Sequence, residues 1–396
     1  MAITRLGPNQ DITAAKIAGQ INFKNLIING DMSVAQRGTS FSSMSNGQFI
    51  TDRFFYDRAG LGITAVFTGS QSTDVPSGTS FANSLKMDVT TAQTLGPSGG
   101  TYFGVTTKVE GYNYKLISNQ VGTISFWVKS NLTGTYSIVF RNNGNDRVLV
   151  EEYTINSAST WEKKTITLPT FTTDGTWNYT NGMGVSIFFC LAVAGDNDTS
   201  TIGSWISSGV TSIYGSSNNV EFASSTSNEW FITGVQLEAD TSASDFEFLP
   251  YDVNLRRCQR YYTRIARTGG DYAYGWGWLY GTTGGNFAIP VSTPMRIQTP
   301  SVSVIGTSFA IYSNGTKQNG STMGTIAWES NTYVIGLNTG SLSHSLDKHT
   351  ASLNNASGTP SGMEFPTIAV EASNPTCGSL RCIEPPIPLQ HPVDLP

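Results

Sequence analysis

Residues able to carry out acid–base or nucleophilic chemistry are few in this chain, and their spacing is unhelpful for catalysis. Histidine occurs three times, at His344, His349 and His391, all towards the C-terminus and in loop-like surroundings. No phosphate-cradling Gly-x-x-x-x-Gly-Lys segment and no metal-binding His-Glu-x-x-His pair is present. Two local carboxylate clusters stand out. Glu151-Glu152 reads as an exposed strand end, and a glycosidase pair stays open because such carboxylates meet in space rather than in sequence. Asp196-Asn197-Asp198 reads as a turn, with an oxygen-ligated calcium as the alternative. Of the four cysteines, Cys190 lies in an apolar run and Cys258 in a helical segment, so both are expected to be small buried apolar groups. Cys377 and Cys382 flank a short loop in a Pro-rich tail; a zinc site would need two more ligands there, and His391 is the only histidine in that tail. The expectation is a protein that is not an enzyme, with no metal and no cofactor.

The sharpest binding feature is the run Asp271 to Gly281. Tyr272, Tyr274, Trp276, Trp278 and Tyr280 fall at every second position, so a strand would project all five rings from one face. Ala273, Gly275 and Gly277 leave the opposite face nearly bare. Such a ladder can stack on the apolar faces of sugar rings. It can equally be the core of its module or a seam between protomers, because burying five aromatics yields on the order of 10 kcal/mol at about 2–3 each.

These residues must be positioned by strands. The chain has 396 residues, of which only 13% are charged and 41 are Gly, and runs of helix formers are missing. Short alternating segments recur: Thr123 to Lys129 with Ile124, Phe126 and Val128 inward, Tyr136 to Phe140, Trp161 to Leu168, and Val185 to Val193. Asn and Gly clusters such as 142–145 punctuate them. Trp230 to Leu237 alternates too, with Phe231, Val235 and Leu237 on one face and Trp230, Ile232 and Gln236 on the other. After Pro250, Asp252 is expected to cap a helix whose one side carries Leu255, Cys258, Gln259 and Tyr262.

The predicted order is therefore an N-terminal docking arm (1–21), a mainly β, jelly-roll-like sandwich (22–251), a short helical elbow (252–267), a smaller distal β module (268–362) and a Pro-rich tail (363–396). The strand pattern around Phe126-Trp127-Val128 and Trp161-Glu162-Lys163 is similar to jelly-roll carbohydrate-binding modules, a fold-level analogy that transfers no function by itself. A net charge of −5 argues against nucleic acid as the main partner. The arginines between Arg256 and Arg267 are expected to pair with Glu238, Asp240, Asp245 and Glu247 or to face solvent. No stretch approaches the ~20 apolar residues of a membrane span.

A set of ordered motifs carries a resemblance. Asn25 to Gly30 (Asn-Leu-Ile-Ile-Asn-Gly), Gln36 to Ser40 and Asp52-Arg53-Phe54 precede Gly234-Val-Gln-Leu-Glu238. Phe246-Glu247, Pro250-Tyr251, Cys258-Gln-Arg-Tyr-Tyr262, Pro294-Met295-Arg296 and Pro300 follow. In this the chain resembles tailed-phage virion structural proteins, over roughly residues 22 to 362. The resemblance implies a tail fibre or receptor-binding protein, with a capsid decoration or head-fibre protein as the alternative. A glycan-degrading tailspike fits less well, because no internal repeat of fixed period is present. It further implies assembly in the host cytoplasm onto virions and a homo-oligomer, a trimer by expectation. Other virion proteins would be held through the arm, and host surface glycan would be the ligand. The family's C-terminal modules end in a plain strand, so the Pro-rich tail departs from the pattern.

Overall fold

The computed structural model describes residues 23–207, 210–267, 273–280 and 284–297, together with the further distal strands given below. The first unit contains β1 (Ser40–Phe41), β2 (Phe49–Thr51), β3 (Phe54–Ala59), β4 (Val66–Ser72), β5 (Ser84–Thr91), β6 (Tyr102–Glu110), β7 (Gly122–Ser130), β8 (Gly134–Asn142), β9 (Val148–Ile155), β10 (Glu162–Leu168), β11 (Met183–Val193), β12 (Asp198–Thr199), β13 (Trp205–Ile206), β14 (Gly215–Ser216) and β15 (Glu229–Glu238). A one-turn helix α1 (Gly111–Tyr114) follows β6.

These strands form two main sheets, ordered β1-β4-β5-β15-β7-β10 and β13-β9-β8-β11-β6-β3-β2, in which every pair is antiparallel. Successive strands repeatedly cross from one sheet to the other, as β5 to β6, β6 to β7 and β7 to β8 do. That is the jelly-roll-like sandwich expected from the many short alternating segments. Between the sheets lies one core that includes Phe67, Phe103, Phe126, Phe189 and Trp230, each of them fully buried.

Period-2 reasoning placed Ile124, Phe126 and Val128 inward, and they are in this core. It failed where a strand carries an extra residue. In β15 the register against β7 shifts between Thr233 and Gln236, around Gly234 at φ +64. Trp230 and Ile232 face the core before the irregularity, and Val235 and Leu237 face it afterwards, so the apolar residues do not split between faces as strict alternation requires. In β11 a shift between Cys190 and Ala192 likewise moves Val193 from the main core to a second cluster on the outer face of its sheet.

A single helix of more than one turn, α2 (Tyr251–Gln259), follows the sandwich among the described residues. Its N-cap is Pro250 rather than Asp252, which lies in the first turn, where a carboxylate still favours the helix dipole. The elbow expected over 252–267 is shorter than that. Tyr262–Arg267 is a strand, β16, because it pairs with a distant strand instead of continuing the helix. Of the side expected to be buried, Cys258 is buried, Leu255 packs half-buried beside it, Gln259 is half-buried, and Tyr262 is buried but belongs to β16. Asn254 and Tyr261, at i−4 and i+3 from Cys258, complete the buried stripe.

Beyond it come β17 (Ala273–Tyr280), β18 (Gly284–Pro290), β19 (Ser303–Ile305), β20 (Phe309–Ser313), β21 (Thr316–Gly320), β22 (Gly324–Ile326), β23 (Val334–Thr339), β24 (Thr350–Asn355) and β25 (Ser361–Pro366). They build a three-stranded sheet, β16-β25-β19, and a seven-stranded one, β21-β20-β24-β17-β18-β23-β22. β25 carries regular structure past residue 362, so ordered chain extends into what sequence reading assigned to the tail. The arm and residues 367–396 lie outside the described residues, and with them Cys377, Cys382 and His391. Among the described residues no helix is long and apolar enough to cross a membrane.

Candidate functional site

Motif residues scattered along the sequence from Asn25 to Arg296 meet at one place, a polar joint between the end of the sandwich, α2 and the distal module, while Pro300 lies outside the described residues. The Asn25 side chain donates to the Val235 carbonyl (3.0 Å) and accepts from the main-chain N–H groups of Ile27 (2.9 Å) and Leu237 (3.1 Å). It thus fixes the first described segment along β15. Asn29, at φ +63, donates to the carbonyls of Val34 (2.9 Å) and Asp52 (2.7 Å) and accepts from the Val34 N–H (2.9 Å). The short polar side chain explains why Asn tolerates that left-handed backbone. Asn254, buried on α2, donates to Asp31 and Ser33, at 3.0 Å each.

The Cys-Gln-Arg-Tyr-Tyr stretch closes the joint. Arg260 forks onto the buried Glu110 at the end of β6, through Nε (3.0 Å) and Nη2 (2.6 Å), and the Tyr261 hydroxyl donates to the same carboxylate. The Arg53 guanidinium lies 3.5 Å from the Tyr261 ring centroid, and Arg37 lies between the rings of Phe49 (4.0 Å) and Tyr262 (3.6 Å). Gln36 donates to the Tyr262 carbonyl (2.9 Å) and to Asp52. From the distal side, the Arg296 N–H donates to the Arg260 carbonyl (2.8 Å) and its guanidinium to the Asn181 carbonyl (2.7 Å). Of these arginines Arg256 faces solvent, as one of the two expectations had it, while three take partners outside the expected acids: Arg260 takes Glu110, and Arg257 and Arg264 donate to the carbonyls of Asn25 and Gln36. Glu238 instead accepts from Ser244 and Gln236. Burial holds the Arg257 pKa down and the Glu110 hydrogen bonds hold that of Arg260 up, so both shifts follow from this packing.

The outer face of the β13-to-β2 sheet is covered by the chain itself. The segment around Val210–Tyr214 lies across it, with the Tyr214 ring stacked on Tyr102 at 3.6 Å and 8°. Arg141, buried below, donates to the carbonyls of Val210 (2.7 Å) and Ile213. Gly104 makes room here, since a Cβ would sit 2.4 Å from the Phe188 ring. Asp57 accepts from Thr106 (2.9 Å) through one oxygen, while its other is buried without a partner, and burial raises its pKa.

The carboxylate clusters have structural roles. Asp196 sits in a turn closed by the Asn197 N–H donating to the Ala194 carbonyl (2.8 Å). It accepts from the main-chain N–H groups of Gly99 (3.0 Å) and Gly100 (3.0 Å), tying that turn to the loop before β6; Asp198 begins β12. Gly96 to Gly100 spells Gly-x-Ser-x-Gly, but it is a loop leading into β6 and lacks the strand-to-helix elbow that exposes a nucleophile. Among the described residues no group of three or more His, Cys, Asp or Glu is placed to hold a metal ion. Cys190 and Cys258 are buried, and burial raises both thiol pKa values. Glu152 accepts from Ser216 and from Asn218 (3.1 Å). Its neighbour Glu151 is partly buried and pushed up to about 7, first by burial and then by the Glu152 charge. Its folded value exceeds the unfolded one, so its contribution to stability is present at low pH and lost as pH rises towards 7. Glu151→Gln should therefore melt like the wild type near pH 4.5 but about 2–4 °C higher at pH 8. That corresponds to about 1 kcal/mol once solvent screening is allowed for. Scanning calorimetry at the two pH values measures the difference, and an equal offset at both would contradict it.

Of the predicted aromatic ladder, Tyr274, Trp276, Trp278 and Tyr280 do lie on one strand, β17, with Trp276 opposite Ala288 and Trp278 opposite Asn286. The pairing with β24 shifts register between Ala273 and Gly275. Tyr272, and the side chains of the other four, lie outside what is described.

No family model matches the sequence, and no curated protein matches it. Among solved structures, the chain is similar to the enzymatically active domain of tailspike protein 4 of bacteriophage CBA120, with 16% identity and a TM-score of 0.29 over 55% of this chain. It spans 22% of that tailspike structure. It is also similar to the family 11 carbohydrate-binding module of a Clostridium thermocellum cellulosomal cellulase, with 14% identity over 51% of this chain and 97% of that one, TM-score 0.28. An exo-beta-agarase gives 10% identity over 52% and 25%, TM-score 0.28. Likeness at these scores transfers neither ligand nor activity.

Proposed function

We propose that this protein is a non-enzymatic structural component of a bacteriophage virion, a tail fibre or receptor-binding protein that attaches the particle to the host surface. The observation that supports it is the convergence of the ordered motifs, from Asn25 to Arg296, on a single joint. An adhesin must pass contact force from particle to host. A joint of buried, mutually hydrogen-bonded side chains transmits force where a Gly/Ser linker would not. The arm would dock on other virion proteins, and self-association, as a trimer, would multiply weak surface contacts into useful avidity. Antibody labelling and image reconstruction of intact particles test this reading. Density at the tail is the expected result, density on the shell would make it a decoration or head-fibre protein, and absence from particles would overturn the reading.

The ladder on β17 is the distal candidate for sugar contact. If it serves the host surface, Trp276→Ala and Trp278→Ala each remove host-cell binding and leave the melting temperature near wild type. Misfolding or dissociation of both variants would make the strand core or seam.

A further inference from the structure

The outer face of the other sheet is open only towards its β10 side: Ser125, Lys129, Phe231 and Thr233 are buried on it, whereas Trp127 is half-buried and alternate residues of β10 are exposed. On β7, Ile124, Phe126 and Val128 enter the core, so Ser125, Trp127 and Lys129 point outward. On the edge strand β10, Ile166 and Leu168 turn inward and leave Lys163, Thr165 and Thr167 exposed. Register places Trp127 opposite Lys163 on one side and Thr233 on the other. In the next row Phe231 lies between Lys86 and Lys129. Trp161, just before β10, packs edge-on to the Phe231 ring at 6.1 Å and donates its N–H to Asp74 at 2.9 Å. Both indoles are half-exposed, and the Trp127 N–H has no hydrogen-bond partner among the described residues.

Charge on this face cancels locally. Lys86 bridges Asp88 (2.9 Å) and Glu229 (3.0 Å), and Lys129 pairs with Asp74 while its ammonium sits 4.2 Å from the Phe231 centroid. The acids keep accepting capacity towards solvent, with side-chain exposures of 45% at Asp74, 31% at Asp88 and 36% at Glu229. A protein partner would need roughly 800 Å² per side around an apolar centre. Here two half-exposed rings stand among Thr, Ser and paired charges. Flat rings, an unused N–H donor and carboxylate acceptors on an electrically balanced surface suit a neutral polyol.

We propose that Trp127 and Trp161 form a platform for a neutral polysaccharide, with sugar rings on the indoles and hydroxyls donating to Asp74, Asp88 and Glu229. It rests on the adhesion reading but is tested apart from it, since particle location is independent of ligand binding in solution. The experiment is retention of the purified full chain in gels containing dextran, mannan, galactan or acidic polygalacturonate. Retention on at least one neutral polymer is expected, weakened about 10-fold by Trp127→Ala and by Trp161→Ala and unchanged by Lys163→Gln. Thr165→Arg, at an exposed position beside Trp127, should block the face without touching the core and so serves if an alanine variant melts early. The proposal is overturned by no retention on any neutral polymer, by retention that survives both Trp→Ala and Thr165→Arg, or by retention on polygalacturonate alone that Lys163→Gln removes. Sedimentation showing that the tryptophan variants dissociate an oligomer would also overturn it, because the face would then be a subunit seam.

Discussion

Arg260→Ala is expected to lower the melting temperature by roughly 6–12 °C. Glu110 is only 3% exposed at its side chain and takes both guanidinium bonds. Removing the arginine leaves a buried carboxylate with the Tyr261 hydroxyl as its main remaining donor. Breaking one partner out of a buried ion pair costs about 3–5 kcal/mol, and the 32% exposure of Arg260 places this case at the lower end. At 2–4 °C per kcal/mol for a domain of this size, that gives the stated fall. Glu110→Gln should cost less, because the amide oxygen can still accept from the Arg260 Nε and the Tyr261 hydroxyl, and the guanidinium left without its counter-charge is 32% exposed and open to water. The combination Glu110→Gln with Arg260→Met should recover part of the loss by replacing the pair with neutral groups. Thermal denaturation of the three variants decides. Equal melting of wild type and Arg260→Ala would mean that the joint does not hold the sandwich to α2.

The sandwich was legible where a strand sets apolar side chains against polar ones in alternation, so the pattern in Thr123 to Lys129 carried both position and orientation. It misled where an added residue reverses parity. In β15 the apolar residues Val235 and Leu237 fall on the expected strand but on the side opposite to that inferred from Trp230, because nothing local marks Gly234 as a bulge rather than a pause. The helix stripe was misread for another reason. Asn254 is polar, so an apolar search passes over it, and its burial depends on Asp31 and Ser33 more than 200 residues away. The same holds for Glu110, whose partners Arg260 and Tyr261 lie 150 and 151 residues on. Trp127 could be placed outward by parity alone. That it shares a face with Trp161 and a charge-balanced row needed the register of β7 against β10 and β15.

Gly30→Ala tests the joint from its other side and should be at least as damaging. A Cβ at residue 30 would sit 2.0 Å from the Val235 carbonyl oxygen and 3.1 Å from its carbon. Neither neighbour can move away independently. The Gly30 carbonyl accepts from the Val235 N–H at 2.9 Å, and the Val235 carbonyl accepts from Asn25 at 3.0 Å. Relief therefore means separating the Asn25–Gly30 segment from β15 and breaking those bonds together. The obstacle is backbone rather than a flexible side-chain end, which puts the cost at about 3 kcal/mol or more, at the upper end for an inserted methyl. A fall in melting temperature of roughly 6–12 °C follows. Gly47→Ala is the matched control: its Cβ would meet nothing within 4 Å, so only the left-handed backbone at φ +79 opposes it, at about 1–2 kcal/mol. If the two variants melt together, close approach at Gly30 is not what limits that position. If Gly30→Ala melts within about 2 °C of wild type, the contact between the leading segment and β15 contributes little to the stability of the joint.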